Sequence, residues 1–202
     1  MNRPHDPHFE SLIMPNILVF AGSARKDSLN KKLAKAAGEM AGRLGVDVTF
    51  VDLADYPMPL YDGDLEEAQG LPQSMLKLYP LFKAADGLMV ACPEYNSSVT
   101  PLLKNTIDWL SRPQDGEPRL GAFAGKVVAV MGTSPGGLGA MRVLRHAREI
   151  FGNIGGLVIP QQVAVPNGAD VFAADGNIAD ESVRTRLEEM VKAMVKTTRS
   201  LT

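Results

Sequence analysis

Three short polar segments carry most of the residues able to do chemistry. They are Gly22-Ser23-Ala24-Arg25-Lys26-Asp27-Ser28-Leu29-Asn30, Pro93-Glu94-Tyr95-Asn96-Ser97-Ser98 and Thr133-Ser134-Pro135-Gly136-Gly137-Leu138-Gly139. The first holds small hydroxyls at Ser23 and Ser28, an amide at Asn30 and a guanidinium at Arg25. Those groups, with the free N–H groups and dipole of a following helix, suit a phosphate monoester. The second presents a proline-stiffened backbone and the aromatic ring of Tyr95, which suits a flat heteroaromatic ring. Its consecutive backbone amides match the alternating acceptors and donor along the pyrimidine edge of a flavin. The third is glycine-rich and brings Ser134 towards the same place.

Each segment follows an apolar run of strand length and opens an amphipathic pattern. The runs are Ile17–Ala21, Val46–Val51, Gly87–Ala91, Val127–Met131 and Leu157–Val165. They do not alternate, which predicts strands covered on both faces. Leu29, Leu33, Ala36, Ala37, Met40 and Leu44 fall on one helical face, and Gly45 follows as the stop. Further helices are predicted over Pro72–Lys83, from Thr100-Pro101 to about Ser111, over Leu138–Phe151 and after Asp180. Thr100 followed by Pro101 is a hydroxyl N-cap with proline at the first helical position. Strand, turn and helix in that order is half of a βαβ unit, and ligands sit at the carboxyl ends of such strands. The three polar turns follow the first, third and fourth strands. The sheet order 2-1-3-4-5 brings these strands together, whereas 3-2-1-4-5-6 separates the first from the third. The prediction is therefore an α/β, flavodoxin-like five-stranded parallel sheet of order 2-1-3-4-5, with helices on both faces.

Bulk properties narrow the function. The chain has 202 residues, 45% apolar and 22% charged, with a formal net charge of −2. That charge gives no reason to expect nucleic acid or an anionic membrane as partner. No apolar run approaches the roughly 20 residues that span a bilayer. Residues 1–14 carry prolines, histidines and acids rather than a secretory signal, and read as a flexible extension before a single flavodoxin-like domain over 15–202. The single cysteine, Cys92, excludes an internal disulfide and points to a reducing cytoplasm.

The first turn, Gly22-Ser23-Ala24-Arg25 with Ser28 and Asn30, resembles the phosphate loop of the NADPH-dependent FMN reductase family. Pro93-Glu94-Tyr95-Asn96-Ser97-Ser98, followed by Leu103-Lys104-Asn105, Ile107-Asp108-Trp109 and Ser111-Arg112, is similar to that family's second signature. Ser134-Pro135-Gly136-Gly137 agrees as well, and the likeness runs from about Asn16 to Val165. The resemblance implies FMN as bound cofactor and NADPH or NADH as co-substrate. It also implies a homodimer or homotetramer, and acceptors among quinones, azo dyes, flavins and metal oxyanions. By the same resemblance, Ser23, Arg25, Ser28, Leu29 and Asn30 hold the FMN phosphate. Pro93, Glu94, Tyr95, Asn96 and Ser97 hold the isoalloxazine and ribityl chain, and Ser134 lies near the other side of the ring. Hydride would pass from nicotinamide to flavin N5 and then, in a second half-reaction, to the acceptor. No catalytic acid or base is required. Many relatives carry Pro-Gly where this chain has Thr100-Pro101, so Val99 and Thr100 are expected to alter the cleft rim.

Several motifs are set aside. Gly132-Thr133-Ser134-Pro135-Gly136 satisfies G-x-S-x-G, but the residue after the serine is proline and has no N–H for an oxyanion hole. The serine hydrolase is thus a remote alternative, with His146 the only histidine after Ser134. A flavodoxin-type electron carrier without a nicotinamide site is the nearer one, although such carriers are more acidic and lack the arginine. A flavin-free relative is a third. The G-x-x-x-x-G-K-[ST] and G-x-G-x-x-G patterns are absent, and Asp52 reads as a loop cap rather than a ribose ligand. Cys92 reads as a core residue, and Trp109 as core or subunit interface. His5 and His8 do not make a metal site. Tyr61, Asp62 and Asp64 lie in a Pro-rich loop that approaches a neighbouring subunit's flavin in relatives and is otherwise simply solvated. No segment reads as a 2′-phosphate site, so NADPH and NADH are both admitted.

Overall fold

A computed structural model describes residues 14–173 and 175–202. The expected extension over 1–14 lies outside the described residues save Met14, as do His5 and His8. Five parallel strands form the sheet: β1 Asn16–Ala21, β2 Asp47–Val51, β3 Gly87–Ala91, β4 Val127–Thr133 and β5 Leu157–Val165. Their order is β2-β1-β3-β4-β5, as the placement of the polar turns predicted.

Among the described residues six helices connect and cover the strands: α1 Leu29–Arg43, α2 Gly63–Gln69, α3 Gln73–Ala84, α4 Pro101–Leu110, α5 Met141–Asn153 and α6 Glu181–Arg199. Side-chain parity assigns each to a face. Ile17, Val19 and Ala21 of β1, with Met89 and Ala91 of β3, pack under α1 and α6. Leu18 and Phe20, with Leu88 and Val90, pack under α3, α4 and α5. Both sets are buried, which is why these strands read as continuous apolar runs. The edge strands differ. β2 is half exposed, and β5 carries exposed Pro160, Gln161 and Gln162 beside a register shift between Val128 and Val130. Proline is tolerated there because no further strand needs its missing N–H.

Two local expectations are revised. The Pro-rich loop contains α2, which has no buried residue and so no apolar stripe to betray it; Asp62 caps it by accepting from Asp64 and Leu65 N–H. The fifth helix starts at Met141 rather than Leu138. Gly139 (φ 59°) and Ala140 (φ 64°) hold left-handed backbone just before it, and a Cβ at Gly139 would collide with Val165 and Pro166. Asp52 does cap, accepting from Ala54 N–H at the short 3-10 turn Leu53–Asp55. It also receives Lys31 Nζ at 2.6 Å, tying the start of α1 to the end of β2.

Burial shifts two titratable side chains, Lys126 and Cys92. Lys126 donates to the carbonyl of Lys83, at 3.0 Å, and to that of Ala85, closing the C-terminal end of α3. Burial pulls its pKa down, against the opposing pull of Asp86. Cys92 is wholly buried at the end of β3, and desolvation pushes its thiol up to about 12. Native protein should therefore leave Cys92 unreacted with a disulfide reagent near pH 8, whereas the unfolded chain reacts at once; rapid native labelling would contradict this burial. The unfolded thiol ionises near pH 8.5, so alkaline pH favours the unfolded chain. The Cys92 contribution is intact below that value and is lost as pH climbs towards about 12.

Candidate functional site

The polar turns after β1, β3 and β4 converge at the carboxyl edge of the sheet. Ser23, Arg25, Asp27, Ser28, Leu29, Asn30, Pro93, Glu94, Tyr95, Thr133, Ser134 and Pro135 line one cavity of about 240 Å³. It gathers nine of the expected cofactor residues. Asn96 and Ser97 lie outside its lining.

The end expected to take a phosphate is built on the start of α1. Ser28 is its N-cap and accepts from Lys31 N–H at 3.3 Å. The first two helical N–H groups, of Leu29 and Asn30, have no acceptor among the described residues. Ser23 accepts from Arg25 N–H at 3.3 Å, and the Arg25 side chain is exposed with no ion pair among the described residues. Gly22 lets this turn approach α4, since a Cβ there would sit 2.9 Å from Leu103 Cβ. Two hydroxyls, two free N–H groups and an unpaired guanidinium fit a phosphate dianion.

Three side chains at this site have a second task, holding the turns to one another. Asn30 Nδ2 donates to the carbonyl of Thr133 at 2.9 Å, and its Oδ1 accepts from Thr133 N–H at 3.0 Å. The side-chain amide thus ties the first turn to the third. Thr100 caps α4, accepting from Leu103 N–H at 3.2 Å, and donates to the carbonyl of Gly22 at 2.7 Å. It is buried and joins the first turn to the second, so Thr100 belongs beneath the cleft rather than on its rim. Glu94 closes the triangle. Its carboxylate accepts from the N–H groups of Arg142 and Val143, at 3.0 and 3.1 Å, and from Arg142 Nε at 2.7 Å. Ala140, at the N-cap of α5, has no capping side chain. Glu94 caps α5 from another loop, leaving its own backbone at the cleft.

The Pro93–Ser98 loop turns through a two-residue hairpin. Tyr95 and Ser98 exchange N–H···O=C bonds of 3.0 Å in both directions, while Asn96 (φ 49°) and Ser97 (φ 67°) are both left-handed. That is a type I′ pattern, and serine there carries local strain. Tyr95 stands half exposed above it. His146 Nδ1 lies 2.9 Å from Ser98 Oγ, and Ser134 Oγ donates to the carbonyl of Gly136 at 3.3 Å. Histidine and elbow serine are engaged elsewhere, which removes the hydrolase alternative.

The Pro-rich loop is fastened to α4. Asn105 accepts from Tyr61 N–H and donates to the carbonyl of Pro59, both at 2.8 Å; Trp109 Nε1 donates to the same carbonyl at 2.8 Å. The Tyr61 ring meets Trp109 edge-on at 5.0 Å and Arg112 at 5.1 Å, and Arg112 Nε pairs with Glu66. Asn105 and Trp109 follow at i and i+4 on α4, and Arg112 lies just past its end, so one side of the helix and its exit hold the loop.

Fold and cleft define a flavodoxin-like nucleotide-binding enzyme. The family described as NADPH-dependent FMN reductase matches residues 15–170, and the chain belongs to it. It is 33% identical over 181 residues to an NAD(P)H-dependent FMN reductase of Pseudomonas aeruginosa, covering 88% of this chain and 92% of that protein. It is 32% identical to a 2-hydroxy-1,4-benzoquinone reductase of a Burkholderia species, covering 85% and 90%. Among solved structures, the flavoenzyme NAD(P)H:(acceptor) oxidoreductase of Paracoccus denitrificans superposes with a TM-score of 0.79 at 32% identity, covering 93% of this chain and 98% of that one.

Glu94→Ala removes the acceptor for two helix N–H groups and one guanidinium. A loss of about 1–3 kcal/mol in denaturant stability is expected, with weaker FMN retention on gel filtration. Unchanged stability would mean that Glu94 does not cap α5.

Proposed function

We propose that this protein binds FMN in the cleft and uses NADPH or NADH to reduce a small acceptor, with quinones as the leading class. One observation carries the proposal: the donor set at the start of α1 and the rigid Pro93–Ser98 loop share a single cavity. Membership in the family and the likeness to a benzoquinone reductase support the direction of electron flow.

Ser23, Arg25, Ser28 and the N–H groups of Leu29 and Asn30 would hold the phosphate. The Asn30 side chain acts beneath them. Pro93, Glu94 and Tyr95 would support the ring and ribityl chain through backbone amides, with Asn96 and Ser97 setting the turn and Ser134 facing from the third loop. FMN, when bound, supplies hydride acceptance at its N5 and onward electron transfer. The braced loops would hold the ring beside Tyr95, and nicotinamide and acceptor would take turns against it. No side chain is assigned as a proton donor.

The functional unit is residues 15–202 as one domain. Exposed Leu60, Tyr95 and Leu138 are apolar side chains that assembly as a homodimer or homotetramer would cover. No helix among the described residues is long and apolar enough to cross a membrane. With its single, buried thiol, the chain suits a reducing cytoplasm.

Anaerobic titration of FMN-loaded protein with NADPH or NADH tests the proposal. The oxidised flavin band near about 450 nm should bleach within the mixing time and return on adding benzoquinone. A band that persists with both nucleotides would overturn it in favour of an electron carrier.

A further inference from the structure

Beside the flavin cleft lies a second, basic cavity of about 390 Å³, lined by Ser97, Met141, Arg142, Arg145 and His146. It shares a wall with the cleft, because Glu94 lines one cavity and binds Arg142 of the other. Ser97 belongs to the ring loop, so a ligand in this cavity lies within reach of anything stacked on the ring. The resemblance places none of the α5 side chains at a ligand.

The charges are unevenly matched. Arg142 is neutralised by Glu94, whose side chain is only 6% exposed and is fully engaged with α5. Those α5 N–H groups are therefore taken, and no helix-end site remains. His146 turns Nδ1 to Ser98. Arg145 is the free cation: its nearest acid, Glu149, stands 3.8 Å away with side chains 78% and 71% exposed, a contact of little strength. Met141, half exposed, adds an apolar shelf of the kind a purine can lie against.

We infer that this cavity is an anion subsite that takes the 2′-phosphate of NADPH, with Arg145 as the specificity-determining residue. The inference rests on the NAD(P)H-dependent reading above. A dinucleotide whose nicotinamide lies over the flavin extends its adenosine half past Ser97 onto α5. There a phosphate dianion meets Arg145, with Arg142 and His146 alongside. NADH brings a neutral hydroxyl to the same place and gains nothing from the guanidinium. The cavity thus favours NADPH, a preference the three polar turns do not encode.

Calorimetry on FMN-loaded protein tests this with adenosine 2′,5′-bisphosphate and adenosine 5′-monophosphate, which differ only in the 2′-phosphate. The bisphosphate should bind about tenfold tighter to the natural protein. Arg145→Gln, a surface change that threatens no core packing, should abolish most of that difference, and Arg145→Lys should retain part. In turnover with benzoquinone, the NADPH-to-NADH ratio of kcat/KM should fall about tenfold in Arg145→Gln. It should hold in Arg184→Gln, a change on α6. Equal binding of the two nucleotides by the natural protein, or a bisphosphate preference that survives Arg145→Gln, overturns the inference. If neither NADPH nor NADH is oxidised, the functional reading fails instead, and the calorimetric comparison still decides the subsite.

Discussion

A cleft made from three loop segments keeps its shape only if the loops are fastened to one another, and the central fastening is the Asn30 amide. Strands β1 and β4 are not neighbours, so no ladder bond joins their ends. Asn30 bridges the gap by offering Thr133 one acceptor and one donor, as a neighbouring strand would. The pair is buried, so removing it would strand two backbone groups away from water at about 1–3 kcal/mol each. Thr100, at the start of α4 just after the second turn, binds the first, and Glu94 of the second binds the start of α5 just after the third. The three contacts make a closed triangle. A site braced in this way is already in its binding shape, which lowers the ordering cost of taking a ligand.

The bracing extends outward through α4. Asn105 and Trp109 both bind the Pro59 carbonyl, and the loop they hold carries exposed Leu60 and the Tyr61 ring. The signature over Leu103–Arg112 therefore describes a clamp more than a set of ligand contacts. Burial and the hydrogen bond to Glu66 raise the Tyr61 phenol pKa, so it stays neutral and able to donate at ordinary pH.

Strand positions and sheet order were legible in the sequence because they rest on local apolar runs and on which strands are followed by polar turns. The cleft was legible for the same reason. Helix α2 was hidden because a surface helix with no buried residue leaves no periodic pattern. The double duty of Asn30 and Glu94 was hidden for another reason: their partners lie 103 and 48 residues away. Beside other hydroxyls and an arginine, Asn30 reads as one more phosphate donor. Only the folded chain shows its amide turned to Thr133. The basic cavity on α5 was also out of view, since Arg142, Arg145 and His146 look like an ordinary solvated face until Ser97 is brought against them.

The central claim is that the α1 start is a phosphate site in a cleft shaped beforehand for a flavin. Fluorescence titration of the apoprotein with FMN and with riboflavin, which lacks the phosphate, tests it most directly. FMN should bind about 100-fold tighter or more, the scale of two or more charge-assisted hydrogen bonds after desolvation. Equal affinity for the two flavins would contradict the account.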